Sequence, residues 1–250
     1  MTPREREILE IIRKKPTIEH IANLQKKGCL LGRGYIVNEG NYVVGIGAAN
    51  VDVHGRSKKA ISLHDSNPGH MNTSSGGVTR NVSENFARLG GDVKLITAVG
   101  DDVYADKIMA ECISAGIDMT VLHTMSVDFL HSKNNIIKGS RLITCDPGLP
   151  PAVMEEILNL YSDTIPIFVD TVSKAYASTI SGLIGKFHTA KPNLMEAEVL
   201  SGMTIRNKTD LYKAADKILD KGLKRIFVSL GADGCLYMDR DGNRIERKLR

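Results

Sequence analysis

From Asn41 onward, short apolar runs rich in β-branched residues alternate with amphipathic segments, and that alternation leaves few folds open. The run NYVVGIGAANVDV, Asn41 to Val53, reads as an apolar strand entering a turn. Val82, Phe86 and Leu89 then fall at i, i+4 and i+7, one apolar face of a helix, and Gly90 stands where a left-handed C-cap would stop it. Val93, Leu95 and the residues to Val99 form the next strand. Val103 to Ala115 gives a helix with Tyr104, Ile108 and Cys112 on one face and Gly116 at its end, and Ile117 to His123 gives a strand. SRLITCD reads as a core strand, Pro151 to Leu160 as a helix with proline in its first turn, and IPIFVD, ending at Asp170, as a buried strand. Ser173 to Phe187 and Thr209 to Lys221 are helical, the second capped by Gly222. RIFVSLGADG is a strand entering a glycine turn, and LYMDRDGNRIERKL is a hairpin turning at Asp241-Gly242. This order predicts a three-layer α/β sandwich around a mostly parallel sheet with right-handed crossovers.

Composition removes other classes. With 250 residues, 42% hydrophobic and 25% charged, the chain has the makeup of an ordinary globular protein. No apolar run approaches the roughly 20 residues of a membrane span. The first residues, MTPREREILEIIRKKP, are charged throughout and lack the apolar core of a signal peptide, so the expected location is cytoplasmic, with no membrane partner. Cys29, Cys112, Cys145 and Cys235 are scattered, and no pair has metal-ligand spacing. GIGAAN invites comparison with the GxGxxG dinucleotide fingerprint, but Asn50 stands at the last glycine and no crossover helix follows directly, so that reading is rejected. There is no Walker A sequence either.

The most informative stretch is SNPGHMNTSSGGVTRNVSENFARLGGDVKLITAVGDD, Ser66 to Asp102. A turn-rich run leads through polar residues to Gly76-Gly77, which immediately precede the first helix. Such a pair lets backbone approach a ligand, where free N–H groups favour an anion or hydroxyl oxygens, or it merely makes a tight loop. A glycine pair, then Asn81, then an apolar helix ending in Leu-Gly, a strand and Val-Gly-Asp together resemble the first signature of the ribokinase-like (PfkB) carbohydrate kinase family. The SNPG and GGVTRN spellings are most similar to its pseudouridine kinase branch. The resemblance runs from about Asn41 to the end of the chain, and divides it into residues 1–40 and a kinase domain at 41–250.

The resemblance implies an ATP- and Mg²⁺-dependent phosphotransferase acting on a hydroxyl of a sugar or nucleoside, most closely pseudouridine. By the same resemblance Asp52, Gly76, Gly77 and Asn81 bind the substrate. A carboxylate such as Asp52 can accept two hydroxyl protons. Asn193 and Glu196, in an N-x-x-E pattern, help hold metal and phosphates, Glu196 reaching Mg²⁺ indirectly through water. Their plainer reading is a Pro192-Asn193 turn and an exposed first-turn carboxylate. Ser229, Gly231 and Gly234 are implied to lie along the nucleotide. In that family lid strands often supply a dimer contact, which makes a homodimer an expectation.

Three departures from the family pattern set further expectations. Ile8, Leu9, Ile11 and Ile12, then Ile18, Ile21 and Leu24, mark two helices before the hairpin-like CLLGRGYIV. This resembles a winged helix-turn-helix without its middle, a remnant from which specific DNA binding is not expected. Between Met125 and Asn135 no alternating apolar pattern occurs, so part of the β-lid over the substrate is expected to be missing. The family's second signature, D-T-x-G-A-G-D, does not occur through Arg250, so the family's general base has no counterpart and the catalytic residue is unknown. Nothing in the spacing of Asp170 or Asp233 places either at a substrate hydroxyl. The resulting expectation is an incomplete, impaired kinase or, alternatively, a non-catalytic ligand-binding or DNA-associated protein.

Overall fold

The computed structural model describes residues 41–248. The expected helices and hairpin of residues 1–40 lie outside the described residues. The strands are β1 Tyr42–Ile46, β2 Asn50–Ser57, β3 Gly69–Gly76, β4 Asp92–Ala98, β5 Asp118–Leu122, β6 Leu142–Cys145, β7 Ile167–Asp170, β8 Thr189–Lys191, β9 Arg225–Ser229, β10 Cys235–Asp239 and β11 Arg244–Arg247. The helices are α1 Val78–Arg88, α2 Val103–Ser114, α3 Val127–Ser132, α4 Asn134–Lys138, α5 Pro151–Tyr161, α6 Lys174–Ile180, α7 Leu194–Ser201 and α8 Lys208–Asp220.

Nine strands make one sheet in the order β11-β10-β9-β8-β7-β6-β1-β4-β5. The pairs from β5 through β9 are parallel, while β10 and β11 add antiparallel at one edge. Successive strand residues point to opposite faces, and β1 and β4 show the result. Val43, Val93 and Leu95 pack with Ile108 and Cys112 of α2 and with Phe86 of α1. Val44, Ile46 and Ile96 face the other way into a larger core with Ile143, Val153, Ile157 and Leu158. Helices therefore cover both faces of the sheet, and the expected α/β sandwich is the fold observed.

Close packing sets where α1 lies. A Cβ at Gly45 would strike the side chains of Ser83 and Thr79, so glycine there lets the helix settle directly on β1. The buried residues of α1 are Thr79, Arg80 and Ser83, not the predicted stripe: Val82 is exposed and Leu89 is 87% exposed. The strand beneath is glycine-lined, and the helix meets it through small polar side chains. On α2 the buried face is Ala105, Ile108 and Cys112, with Tyr104 outside. The helix expected from Ser173 to Phe187 stops at Ile180 and resumes only as a 3₁₀ turn at Ile184–Lys186.

The polar stretch before Gly76 is a strand. β2 and β3 pair antiparallel from Asn50 opposite Gly76 to Ser57 opposite Gly69, forming a separate two-stranded ribbon. Where the distant lid strands were expected to be missing, residues 127–138 form α3 and α4 and no strand. Among the described residues no helix is long and apolar enough to cross a membrane.

Candidate active site

The sheet builds outward from β1 in two directions, to β4 and β5 on one side and from β6 to β9 on the other. In open parallel sheets such a switch point leaves a crevice beyond the carboxyl ends of the strands. Between β1 and β6 that position is occupied by Asp146, which is 2% exposed. Its Oδ2 accepts from the Ala48 amide at 2.9 Å and from Thr79 Oγ1 at 2.6 Å, and its Oδ1 accepts from the Gly148 amide at 2.9 Å. One carboxylate thus joins the end of β1, the first turn of α1 and the turn after β6. Thr97 Oγ1 adds a bond to the Gly47 carbonyl at 2.7 Å. Burial, reinforced by the Asp146 charge, pushes the adjacent Cys145 thiol far above its usual range. Cys145 is therefore a neutral core group and not a nucleophile.

The predicted substrate residues lie beside this junction. Asp52 is exposed on β2, opposite Ser74 of β3, and its carboxylate sits so close over Gly76 that a Cβ there would collide with it. Gly77 starts α1 with φ 93°, and a Cβ at that position would strike Ala48 and Ala49. Both the left-handed backbone and the contact demand glycine. Asn81 lies exposed one turn further along α1, and its side-chain oxygen accepts from Arg80 Nη1 at 3.2 Å. The structure therefore gathers Asp52, Gly76 and Gly77 at the start of α1, with Asn81 on the same helix.

The predicted nucleotide residues lie at the ends of β8 and β9. Asn193 caps α7 and forms a parallel bridge with Ser229, whose amide donates to the Pro192 carbonyl at 2.9 Å. Glu196 is 3% exposed, so the alternative of an exposed first-turn carboxylate does not hold. Its Oε2 accepts from Thr171 Oγ1 at 2.5 Å and from the Asn193 amide at 2.9 Å, and its Oε1 accepts from Asn193 Nδ2 at 2.7 Å. With the Asn193 oxygen accepting from the Glu196 amide at 2.9 Å, the pair forms a complete capping box. Gly231 opens the 3₁₀ turn Gly231–Asp233 with φ 59° and open space around it. Gly234 has φ 100° and packs against the Arg247 carbonyl, so its need for glycine comes from β11 as well as from backbone conformation.

Sequence reasoning missed Asp146, Thr79 and Thr171. The signal for Asp146 was an aspartate ending the apolar run SRLITCD, the same strand-end position that drew attention to Asp170. Asp170 instead pairs with Lys191 at 2.9 Å. Thr171 is followed by Val172, whose φ of 62° is costly for a β-branched residue and turns the chain sharply beside Glu196.

Residues 41–126 and 125–249 match the family model described as pfkB family carbohydrate kinase, in two segments that meet where α3 begins. An uncharacterized sugar kinase of Escherichia coli K12, YeiI, is 30% identical over 290 residues, spanning 97% of this chain and 80% of the relative. The pseudouridine kinase of the same organism is 30% identical over 237 residues, 82% of this chain and 75% of its own length. A Clostridium perfringens structure described as a sugar kinase is 32% identical with TM-score 0.69, covering 80% of this chain and 73% of that one. Arabidopsis thaliana ribokinase, solved with ribose and ATP, shares the fold at TM-score 0.69 and 17% identity, over 84% and 78% of the two chains.

Proposed function

This chain belongs to the pfkB family of carbohydrate kinases and is a phosphotransferase, and from that premise we propose that its substrate is a nucleoside with a ribose ring, pseudouridine first among them, phosphorylated from ATP with Mg²⁺. The observation that carries the reading is the placement of two sets of groups along one carboxyl edge of the sheet. Asp52, Gly76, Gly77 and Asn81 stand beside the β1–β6 switch point, and Asn193, Glu196, Ser229 and Gly231 stand at β8 and β9. The choice of pseudouridine rests on the GGVTRN segment and on 30% identity to a pseudouridine kinase.

In this reading Asp52 accepts hydrogen bonds from ring hydroxyls, since an ionised carboxylate only accepts. Gly76 leaves room for the Asp52 carboxylate above it, and Gly77 lets the chain turn into α1 against Ala48 and Ala49. The fit to Mg²⁺ can be tested on Glu196. Its Oε2 already holds two hydrogen bonds and its Oε1 one. A carboxylate oxygen has about two acceptor sites, so Oε1 keeps one, enough for a metal-bound water and not for a bidentate grip. That suits Mg²⁺, which retains several waters and would supply charge neutralisation at the phosphates. Asn193, Ser229 and Gly231 would line the nucleotide.

Titration calorimetry with pseudouridine, uridine, ribose and fructose tests the assignment, with Asp52→Asn as the control. The expected result is strongest binding by pseudouridine, lost in the control. Equal heats for all four, or preference for fructose, would overturn it.

A further inference from the structure

Arg80 is 5% exposed on a helix otherwise buried through Thr79 and Ser83. A buried guanidinium is retained only where its surroundings compensate it. Here it pairs with Glu84 one turn along α1 and lies 3.6 Å from Glu111 of α2. Glu111 is 3.9 Å from Lys107, whose ammonium donates to the Thr73 carbonyl at 2.8 Å and to the Thr73 hydroxyl at 3.0 Å. Two cations and two anions thus form a chain from α1, through α2, to ribbon strand β3. At the α1 end, Arg80 Nη1 donates to Asn81 Oδ1 at 3.2 Å.

That last contact fixes a direction. A guanidinium has only donors, so the carboxamide must turn its oxygen toward Arg80 and its NH₂ group away. Asn81 is exposed and Arg80 is buried, so the NH₂ is the end left for a ligand. We propose that Arg80 is a positioning residue for the substrate, holding Asn81 as a hydrogen-bond donor so that it binds a lone pair of the sugar while Asp52 binds hydroxyl protons. The inference rests on the reading of Asn81 and Asp52 as substrate groups. It adds that the two residues discriminate opposite halves of a hydroxyl. It also adds that the helix presenting Asn81 and the strand beside Asp52 are tied through one charge cluster.

Three variants separate this role from plain structural support. Asn81→Asp keeps an oxygen on Arg80, now charge-assisted, and removes both donors. Arg80→Met removes the hold on the amide. Arg80→Lys preserves the charge as a point donor without the planar fork, and serves if the methionine variant does not fold. Thermal melting of the single and double variants is read first. Asn81→Asp should melt no lower than the parent, and should melt lower than its own background once Arg80 is methionine; in the lysine background, where a point charge remains, its gain should shrink. Calorimetry then uses whichever of pseudouridine, uridine and ribose binds the parent most tightly. Loss of one neutral hydrogen bond predicts about 3- to 10-fold weaker binding for Asn81→Asp. A similar loss is expected for the folded Arg80 variant, with the double variant no weaker than either single one.

Absence of the coupling in melting would overturn the inference, as would a folded Arg80 variant binding within twofold of the parent. Asp52→Asn distinguishes the premise. If it binds as the parent does while the Arg80 variants lose affinity, the substrate reading fails at Asp52 and the positioning role stands. If Asp52→Asn loses binding and the Arg80 variants do not, only the positioning role fails. A parent that binds none of the three ligands removes both.

Discussion

Replacing Asp146 by asparagine changes one atom of a side chain that three parts of the fold share. The carboxylate accepts from Ala48 N and Thr79 Oγ1 on one oxygen and from Gly148 N on the other. An asparagine can keep its oxygen toward Ala48 and Thr79, but its NH₂ then faces the Gly148 amide, donor against donor. Flipped, it keeps Gly148, can donate to a rotated Thr79 hydroxyl, and faces the Ala48 amide instead. Either way one backbone N–H loses its acceptor: the partly buried Ala48 amide would suffer most of a penalty of about 1–3 kcal/mol, while the exposed Gly148 amide can turn to water, and the surviving bonds drop from the roughly 1.5–3 kcal/mol of charged partners toward the 0.5–1.5 of neutral ones. Because Asp146 itself is only 2% exposed, water offsets the loss on the Gly148 side alone. We expect Asp146→Asn to cost about 1–3 kcal/mol and to lower Tm by about 2–12 °C for a domain of this size. Asp146→Ala, which orphans all three donors, should cost more. Urea unfolding followed by far-ultraviolet circular dichroism measures both. An asparagine variant within about 0.5 kcal/mol of the parent, the range of an ordinary surface change, would refute the view that this carboxylate fastens the switch point.

Gly77→Ala should be markedly more destabilising than Gly90→Ala. Both glycines have positive φ, 93° and 86°, but only at Gly77 would the new methyl strike Ala48 and Ala49. The second change should cost about 1–2 kcal/mol and the first clearly more, by chemical denaturation; equal costs would show that the contact relaxes freely. Val172→Asn should raise stability by about 1 kcal/mol, because asparagine tolerates the left-handed conformation that valine occupies at φ 62°; a fall in Tm would show that packing of the valine outweighs its strain. His188, stacked on Phe168 with ring centroids 5.8 Å apart, has its pKa lowered by burial first and by Arg225 and Lys224 second. The unfolded chain therefore binds that proton more readily. Its neutral form carries no penalty above the unfolded pKa of about 6.5, and stability falls as pH drops below it. His188→Gln should flatten the stability–pH curve there, and an unchanged slope would assign it to other groups.

The sheet was legible because its strands are buried on both faces and read as continuous apolar runs: Val43 to Ile46, Leu142 to Cys145 and Ile167 to Val169 needed no periodicity to be recognised. The ribbon was not legible for the opposite reason. Most residues of β2 and β3 are exposed, apolar alternation is confined to Val51 and Val53, and a strand made of Gly-His-Met-Asn-Thr-Ser-Ser-Gly looks like a loop. On α1 the stripe of Val82, Phe86 and Leu89 was right only at Phe86, because a helix seated on Gly45 packs through Thr79, Ser83 and Phe86 and turns Val82 and Leu89 outward. At the site, Gly76, Gly77 and Asn81 were found through a spelled motif. Asp146 and Thr171 belong to no contiguous motif, since their partners lie far along the chain.

Those separations bear on when the crevice forms. The bonds of Asp146 to Ala48 and Thr79 span 98 and 67 residues, and the Asn193–Ser229 bridge closes a further long loop. Closing long loops costs entropy before any contact repays it, and chains dominated by distant contacts fold slowly. On a ribosome, β1 and α1 would emerge with Gly76 and Gly77 in place and still lack the carboxylate that fastens them until residue 146 has cleared the tunnel. On the proposed reading, ligand affinity would therefore be a late product of folding. A growing chain would complete the β6 side of the crevice first and the β9 side second.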